Sequence, residues 1–262
     1  MEEQDYQTTY ALEDHNWWFV GMRRMSLALL SRTSRRTAGA PAAAAALDGS
    51  ERRVLDVGCG TGIMLEHLVP YGSPTGLDLS STALDFCKKR GATRLVQARG
   101  EQLPFADDSF DAVTAFAVLE HIDADAAAIA EWCRVLKPGG TLVLLTSAYQ
   151  LLWSGHDVSN HHIRRYRTRD VALLLRIADL DVQKVSYNNT FLFPPILAVR
   201  MLERLKRGSS KPEAHKDTAE VPGPVNRVLA KLLDAETAII QRGKLPFGVS
   251  IIAHAVKPAA AA

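Results

Sequence analysis

The stretch DVGCGTG, residues 56–62, constrains the fold of this chain more than any other feature. It follows a short apolar run and precedes a segment, 63–69, whose pattern predicts a helix. Gly58, Gly60 and Gly62 permit backbone conformations with positive φ and let a ligand approach the main chain closely. The N–H groups at the start of the next helix favour a negatively charged ligand group. The stretch therefore predicts a strand, a ligand-binding turn and a helix in succession.

Short apolar runs alternate with helical patterns from Arg53 onward. The predicted strands are 54–57, 75–78, 94–98, 110–118, 141–146 and 181–188, and the predicted helices between them are 62–70, 81–90, 123–136 and 168–178. Such alternation predicts an α/β fold with a doubly wound, Rossmann-like and mostly parallel sheet. Sheets of this kind bind ligands at the carboxyl ends of their strands.

The two ends of the chain depart from this alternation. Apolar residues recur at helical spacing over 10–30, whereas 31–51 is biased toward Arg and Ala, and 207–224 is polar and rich in Pro, Gly and Ser. We predict four parts: an N-terminal helical cap and linker over 1–50, a Rossmann-like core over 51–190, a helical lid or insertion over 191–246, and a final strand and tail over 247–262.

The composition narrows the class of protein. The formal net charge is +2, which gives no general attraction to nucleic acid. The 3 cysteines form no C-x-x-C pair, so neither a zinc site nor a disulfide framework is expected, and a reducing compartment suits them. The start of the chain is acidic and polar, unlike a secretory signal, and no apolar run reaches the roughly 18 residues of a membrane span. We expect a cytoplasmic protein.

The glycine spacing and one acid narrow the class of ligand. A dinucleotide fingerprint reads G-x-G-x-x-G, but here the glycines give G-x-G-x-G, with Ile63 at the place of the third. Asp78 ends the second predicted strand, about 20 residues after Gly58, where an acid accepts hydrogen bonds from ribose hydroxyls. The spacing favours an adenosine-based cofactor other than a nicotinamide dinucleotide, which stays as the alternative.

Several motifs in order carry a family resemblance over residues 52–147. They are DVGCGTG, the acid strand GLDLS, LPFADDSFDAV, VLEHI and RVLKPGGTLVLL. Together they resemble the class I S-adenosylmethionine-dependent methyltransferases of the broad type 11 kind. The resemblance implies S-adenosyl-L-methionine as the cofactor and a methyltransferase as the activity.

The resemblance also implies cofactor-binding residues. They are Asp56, Gly58, Cys59, Gly60 and Gly62 in the turn, Asp78 and Leu79 at the ribose and adenine, Gly100 and Glu101 after the third strand, and Phe116 and Ala117 beside the sulfonium. Family members usually carry an Asp near the adenine amino group, where this chain has Arg99. Backbone groups of Gly100 or Glu101 are expected to replace that contact.

The loop 147–170 is the most unusual part of the chain, and three interpretations of it stay open. It forms part of an acceptor pocket with His156 or His161 as a base, it binds a metal through its histidines and Asp157, or it is structural. We expect no metal, because the spacing matches no strong metal motif. The candidate catalytic residues are His121, His156 and His161, and the candidate substrate-binding residues are Trp17, Trp18, Tyr149, His162 and Arg165.

The expected function is methyl transfer to oxygen, nitrogen or carbon of a small-molecule or lipid-like acceptor. An Asn/Asp-Pro-Pro-Tyr element is absent after the fourth strand, which disfavours nucleic-acid bases as acceptors. The alternatives are a nicotinamide-dependent oxidoreductase and a catalytically inactive cofactor-binding or scaffold protein. The apolar and basic stretch 191–207 is expected to be a core helix, a substrate lid or a peripheral membrane contact.

Overall fold

A computed structural model describes residues 3–37, 52–207, 212–214 and 220–259. Residues 38–51 of the biased segment 31–51, and residues 208–211 and 215–219 of the polar segment 207–224, lie outside these ranges. The helices are α1 (Glu3–Leu12), α2 (Trp17–Thr37), α3 (Ile63–Leu68), α4 (Ser81–Lys89), α5 (Asp125–Val135), α6 (Gly155–Ser159), α7 (Thr168–Ile177), α8 (Phe193–Arg207) and α9 (Gly223–Arg242). The strands are β1 (Arg53–Val57), β2 (Ser73–Asp78), β3 (Leu95–Gln97), β4 (Phe110–Phe116), β5 (Leu136–Ser147), β6 (Asp181–Asn188) and β7 (Ser250–Val256).

The strands form one 7-stranded sheet in the order β3-β2-β1-β4-β5-β7-β6. The pairs from β3 to β5 are parallel, whereas β7 runs antiparallel to both β5 and β6. The strand order reverses at β1. The chain adds β2 and β3 on one side of β1, and then β4 and β5 on the other side. The predicted doubly wound, mostly parallel Rossmann-like sheet is confirmed.

Residues of the central strands alternate between two apolar faces, as the period of two in a strand requires. Val54, Val143 and Ile252 pack on one face against α2, α3 and α9. Leu55, Val113 and Leu142 pack on the other face against α5 and α7. Because both faces are covered, the central strands are apolar almost throughout, which is why their runs were visible in the sequence.

Two strands begin three or more residues away from their predicted starts. β5 begins at Leu136 instead of residue 141, because Leu136 already pairs with Phe110 before the register shifts. The last strand begins at Ser250, three residues after the predicted start at 247, where it pairs with Asn188 and Ser147. Both ends are set by pairing with distant strands, which a local pattern does not contain.

The N-terminal helices are tied to the glycine-rich turn. Tyr10 of α1 packs on Phe86 of α4, with ring centroids 5.1 Å apart. Glu13, just after α1, is buried and accepts hydrogen bonds from Thr61 of the turn and from Arg90. The start of the chain therefore closes over the edge of the sheet at which β1 and β2 end.

The segment between β6 and β7 contributes α8 and α9. α9 packs along α2, and its Glu236 carboxylate is buried where it accepts backbone N–H groups of Asn189, Thr190 and Phe191. This contact fixes the point from which α8 departs. None of the helices in the described ranges has the length and apolar character needed to cross a bilayer.

Candidate active site

The carboxyl ends of the parallel strands open into a cleft of about 530 Å³. Residues from the turn after β1, the end of β2, the segment after β3 and the end of β4 line one half of it: Gly58, Gly60, Asp78, Leu79, Ala98, Arg99, Gly100, Phe116 and Ala117. Residues from the loops after β4 and β5 line the other half: Glu120, His121, Thr146, Ser147, His156, Asn160 and His162. The cleft thus has a glycine-rich half and a histidine-rich half.

The glycine-rich turn has the backbone geometry that its sequence predicts. Gly58 has φ +66° and Gly60 has φ +53°, both in the left-handed region that favours glycine. A Cβ on Gly58 would collide with Val118, whereas a Cβ on Gly60 would meet nothing within 4 Å. Gly60 therefore faces open space in the cleft, where a ligand can reach its backbone.

Asp78 lies at the mouth of this half of the cleft. Its carboxylate accepts a hydrogen bond from the Gly60 N–H at 3.0 Å and from the Ser80 N–H at 2.9 Å. Burial raises the pKa of Asp78, and these backbone donors oppose that effect. A carboxylate held in this way, beside an open glycine turn, fits the two hydroxyls of a ribose.

Three other predicted cofactor residues lie around the turn but outside the lining of the cleft. Asp56 is buried and accepts a hydrogen bond from the Thr114 hydroxyl at 2.6 Å. Burial raises the pKa of Asp56 to about 7, partly offset by that hydrogen bond. Cys59 lies 3.7 Å from Cys87, Sγ to Sγ, and Gly62 caps α3. These three residues therefore stabilise the conformation of the turn from the side that faces away from the cleft.

The segment after β3 lies beside the end of β2, because the Ala98 N–H donates to the Asp78 carbonyl oxygen. Leu79 is exposed, and Gly100 lines the same wall. Arg99 pairs with Glu101, so the basic residue at the usual acidic position is neutralised by its own neighbour. Glu101 itself is not part of the lining.

The histidine-rich half is organised by the buried carboxylate of Asp157. His162 Nδ1 lies 2.8 Å from Asp157 Oδ1, and Arg165 donates to both carboxylate oxygens, at 2.7 and 3.0 Å. Burial alone would raise the pKa of Asp157, but the hydrogen bonds from His162 and Arg165 outweigh it and hold that pKa well below its usual range. Since an ionised carboxylate can only accept a hydrogen bond, Nδ1 of His162 carries the proton and donates it to Asp157 in that bond, which leaves Nε2 of the neutral ring as an acceptor.

His121 stands edge-on to His162, with ring centroids 4.7 Å apart. Burial lowers the pKa of His121, although the neighbouring Glu120 carboxylate acts in the opposite direction. Glu120 is buried and accepts hydrogen bonds from Thr146 and Ser147 at the end of β5. These contacts fix the loop after β4 to the strand beside it, so that His121 and His162 meet.

The structure does not bring three of the predicted acceptor-site residues to free positions in the cleft. His161 is exposed and has φ +56°, outside the lining, while its neighbour His162 lies inside. The Arg165 guanidinium is occupied by Asp157 and by the Ala148 carbonyl, so it does not grip a ligand carboxylate. Tyr149 stacks on Tyr187, with centroids 4.7 Å apart, behind the cleft.

The remaining candidates line the cleft or the cavity that adjoins it. Trp18 lines it, and both Trp17 and Trp18 line an adjoining cavity beside α8. His156 lines both spaces, with the Asn160 amide 3.1 Å from its Nε2. Among the described residues, no three His, Cys, Asp or Glu side chains are grouped as metal ligands would be.

Two cleft residues carried no signal in the sequence. Tyr6 and Thr9 of α1 line the glycine-rich half, near Asp78 and Ser80. The helical pattern of the N-terminus was weak, and nothing in it indicated which side chains would reach the turn.

Comparisons with known sequences agree with this geometry. The family described as "Methyltransferase domain" matches residues 55–144. A protein named ubiquinone biosynthesis O-methyltransferase, from Xanthomonas oryzae pv. oryzae (strain PXO99A), is 33% identical over 162 residues, which cover 54% of this chain and 68% of the relative. A demethylmenaquinone methyltransferase from Staphylococcus aureus (strain JH9) is 40% identical over 108 residues, 38% of this chain and 45% of the relative.

Solved structures share the fold. The YcgJ protein of Bacillus subtilis superposes with a TM-score of 0.53 at 19% identity, covering 88% of this chain and 98% of that one. A phosphoethanolamine N-methyltransferase of Haemonchus contortus, solved with S-adenosylhomocysteine, gives a TM-score of 0.52 at 19% identity, over 80% of this chain and 49% of that one.

Proposed function

The chain belongs to the class I S-adenosylmethionine-dependent methyltransferases, and we propose that it methylates a hydroxyl oxygen of a small-molecule acceptor. Its cofactor is S-adenosyl-L-methionine, which supplies an activated methyl group on a sulfonium for direct displacement. The observation that carries the choice of oxygen is the Asp157–His162 pair in the cleft. A hydroxyl must lose its proton to become a good nucleophile, so a positioned base is useful to an oxygen acceptor.

We assign the glycine-rich half of the cleft to the cofactor. The open space at Gly60 fits the amino-acid end, and Asp78 fits the ribose hydroxyls. Leu79 and Gly100 stand where the adenine would lie, and Phe116 and Ala117 stand toward the histidine-rich half. The four other predicted residues lie outside the lining and contribute by holding backbone that borders the cofactor. Asp56, Cys59 and Gly62 hold the turn, and Glu101 holds the segment after β3.

In the histidine-rich half, His162 takes the proton of the acceptor hydroxyl at Nε2. Asp157 holds the ring in the required tautomer and stabilises the imidazolium that forms, and Arg165 keeps Asp157 ionised. His121, whose pKa is lowered by burial, packs edge-on against His162 and covers one side of that ring. His156, whose ring centroid lies 6.1 Å from that of His162, orients the acceptor.

The experiment that tests this proposal uses methyl-labelled S-adenosylmethionine, the purified protein and a cell extract freed of its own enzymes by heating. We expect a labelled small-molecule product that mass spectrometry identifies as a methyl ether. A labelled amine would contradict the assignment to oxygen, and absence of any labelled product across extracts would contradict the methyl transfer. Excess S-adenosylhomocysteine serves as the control, because it occupies the same site without a methyl group.

We further propose that the outer face of α8 rests on a membrane surface. Met201, Leu202 and Leu205 are exposed apolar residues outside the cavities, and Leu205 is 78% exposed. Lys206 adds an exposed basic group on the same helix. An apolar face flanked by basic residues is typical of helices that lie in the interface plane of anionic bilayers.

This surface predicts cosedimentation with vesicles that contain anionic lipid. Replacing Leu202 and Leu205 by aspartate should abolish it, since each change removes apolar contact and adds repulsion from the lipid charge. Replacing the exposed Leu173 of α7 by aspartate is the matched control and should leave cosedimentation unchanged. Equal binding of all three proteins, or none by the unmodified one, would contradict the proposal.

A further inference from the structure

A second cavity of about 530 Å³ lies beside the cleft, between the start of α2 and α8. Its walls are mainly apolar, from Trp17, Phe19, Leu152, Leu192, Ile196 and Val199. We call this cavity the α8 chamber. Its volume is within the range of about 300–1,000 Å³ that is usual for small-molecule sites.

The charged side chains in the wall of the α8 chamber are paired with other protein groups. Arg200 donates from Nη1 to both carboxylate oxygens of Glu203, at 3.1 Å each. Arg165 is held by the buried Asp157. The chamber therefore offers apolar surface to a ligand, with its wall charges already compensated.

The α8 chamber is continuous with the catalytic cleft. Trp18, Phe19, Ser147, His156 and Ser250 line both spaces. Two aromatic rings and three polar groups thus surround the passage between them. A ligand that fills both spaces would place a polar group among Ser147, His156 and Ser250, and an apolar body along α8.

We infer that the α8 chamber binds the hydrocarbon tail of the acceptor, so that the substrate is an amphiphile whose hydroxyl-bearing head enters the cleft past His156. This inference rests on the proposed function, because it identifies the tail of the same acceptor. Aliphatic and aromatic walls recognise such a tail by burial of apolar area and select it by length. Acceptors without the tail would reach the cleft but bind weakly.

The test measures the binding of para-alkylphenols, from para-cresol to para-nonylphenol, to the protein saturated with S-adenosylhomocysteine. Calorimetry gives the affinity, and tryptophan fluorescence, to which Trp17 in the chamber wall contributes, gives a second measure of binding. We expect affinity to rise about fourfold for each added methylene until the chamber is full, from the transfer free energy of a methylene group. Affinity that does not depend on chain length would overturn the inference.

Two tryptophan variants of α8 distinguish binding in the chamber from adsorption to the protein surface. Ile196→Trp fills the chamber and should remove most of the gain between para-cresol and para-nonylphenol. Leu205→Trp, on the same helix but exposed and outside the chamber, should keep the whole gain. If Ile196→Trp fails to fold, Val199→Trp replaces it, because Val199 is half exposed and tolerates a larger side chain. Equal losses in the chamber and surface variants would mean adsorption to the surface and would overturn the inference.

Binding of S-adenosylhomocysteine and methyl transfer to short acceptors distinguish failure of the tail-binding inference from failure of the proposed function. If the protein binds S-adenosylhomocysteine and methylates short phenols or another short acceptor, the proposed function stands whether or not chain length matters. If it binds the long phenols but transfers no methyl group to any acceptor, the chamber stands as a lipid-tail site and the proposed function fails.

Discussion

Replacing Asp78 by alanine is expected to weaken binding of S-adenosylmethionine by at least about a hundredfold, since each hydrogen bond to a charged group contributes about 1.5–3 kcal/mol. The carboxylate is the one acid at the glycine-rich mouth of the cleft among the described lining residues that can accept both ribose hydroxyls. It also accepts the Gly60 N–H, so its removal loosens the turn. Calorimetric titration with S-adenosylhomocysteine measures the effect directly.

Two further variants make the Asp78 experiment specific. Asp78→Asn keeps one acceptor oxygen and should give an intermediate loss of affinity. Asp85→Ala, on the exposed side of α4, removes a carboxylate that pairs with Lys88 and should leave affinity unchanged. Unchanged affinity of Asp78→Ala, with a normal unfolding transition, would place the ribose contact elsewhere.

The second large effect is expected at His162. His162→Gln should lower kcat by about 10²–10⁴-fold, the usual contribution of a positioned base, while the affinity for S-adenosylhomocysteine stays unchanged. The loss should shrink as pH rises toward about 10, where a phenolic acceptor ionises in solution and no longer needs the base. The measurement is a pH profile of kcat with a para-alkylphenol or the natural acceptor.

A neighbouring histidine provides the control for this experiment. His161→Gln should leave kcat unchanged, because its side chain is exposed outside the cleft. A loss in His162→Gln that is equal at every pH would assign His162 a structural role instead of a catalytic one. Asp157 is a poorer target, since its removal leaves Arg165 buried without its partner, at a cost of about 3–5 kcal/mol in the free energy of unfolding.

Most of the residues that the sequence predicts for cofactor binding line one half of the cleft. The glycine spacing, Asp78 and the segment at Gly100 are close together along the chain, or sit at strand ends that the parallel sheet brings to one edge. Such features depend on local backbone geometry and on the alternation of strands and helices. Both leave a pattern that can be recognised without knowing distant contacts.

For the acceptor half, the sequence predicted which loop takes part but not which of its side chains face the cleft. The sequence offered His156 and His161 as candidate bases and His162 as a substrate-binding residue; in the structure His156 and His162 line the cleft, whereas His161, with its positive φ, lies outside the lining. Arg165 holds Asp157 and lines the α8 chamber instead of the cleft. These outcomes depend on which buried charge each side chain can reach, which is a property of packing and not of spacing.

The sequence by itself determined the parallel α/β sheet, the glycine-rich turn and the acid that together define a class I methyltransferase, because each is encoded in short-range periodicity and backbone preference. Only the tertiary structure decided which histidine is oriented by Asp157, and that α8 lies across from Trp17 to enclose an apolar chamber beside the cleft. Those relations join residues far apart in the chain. They are selected by burial and by charge compensation in the folded interior, and neither exists until the core has formed.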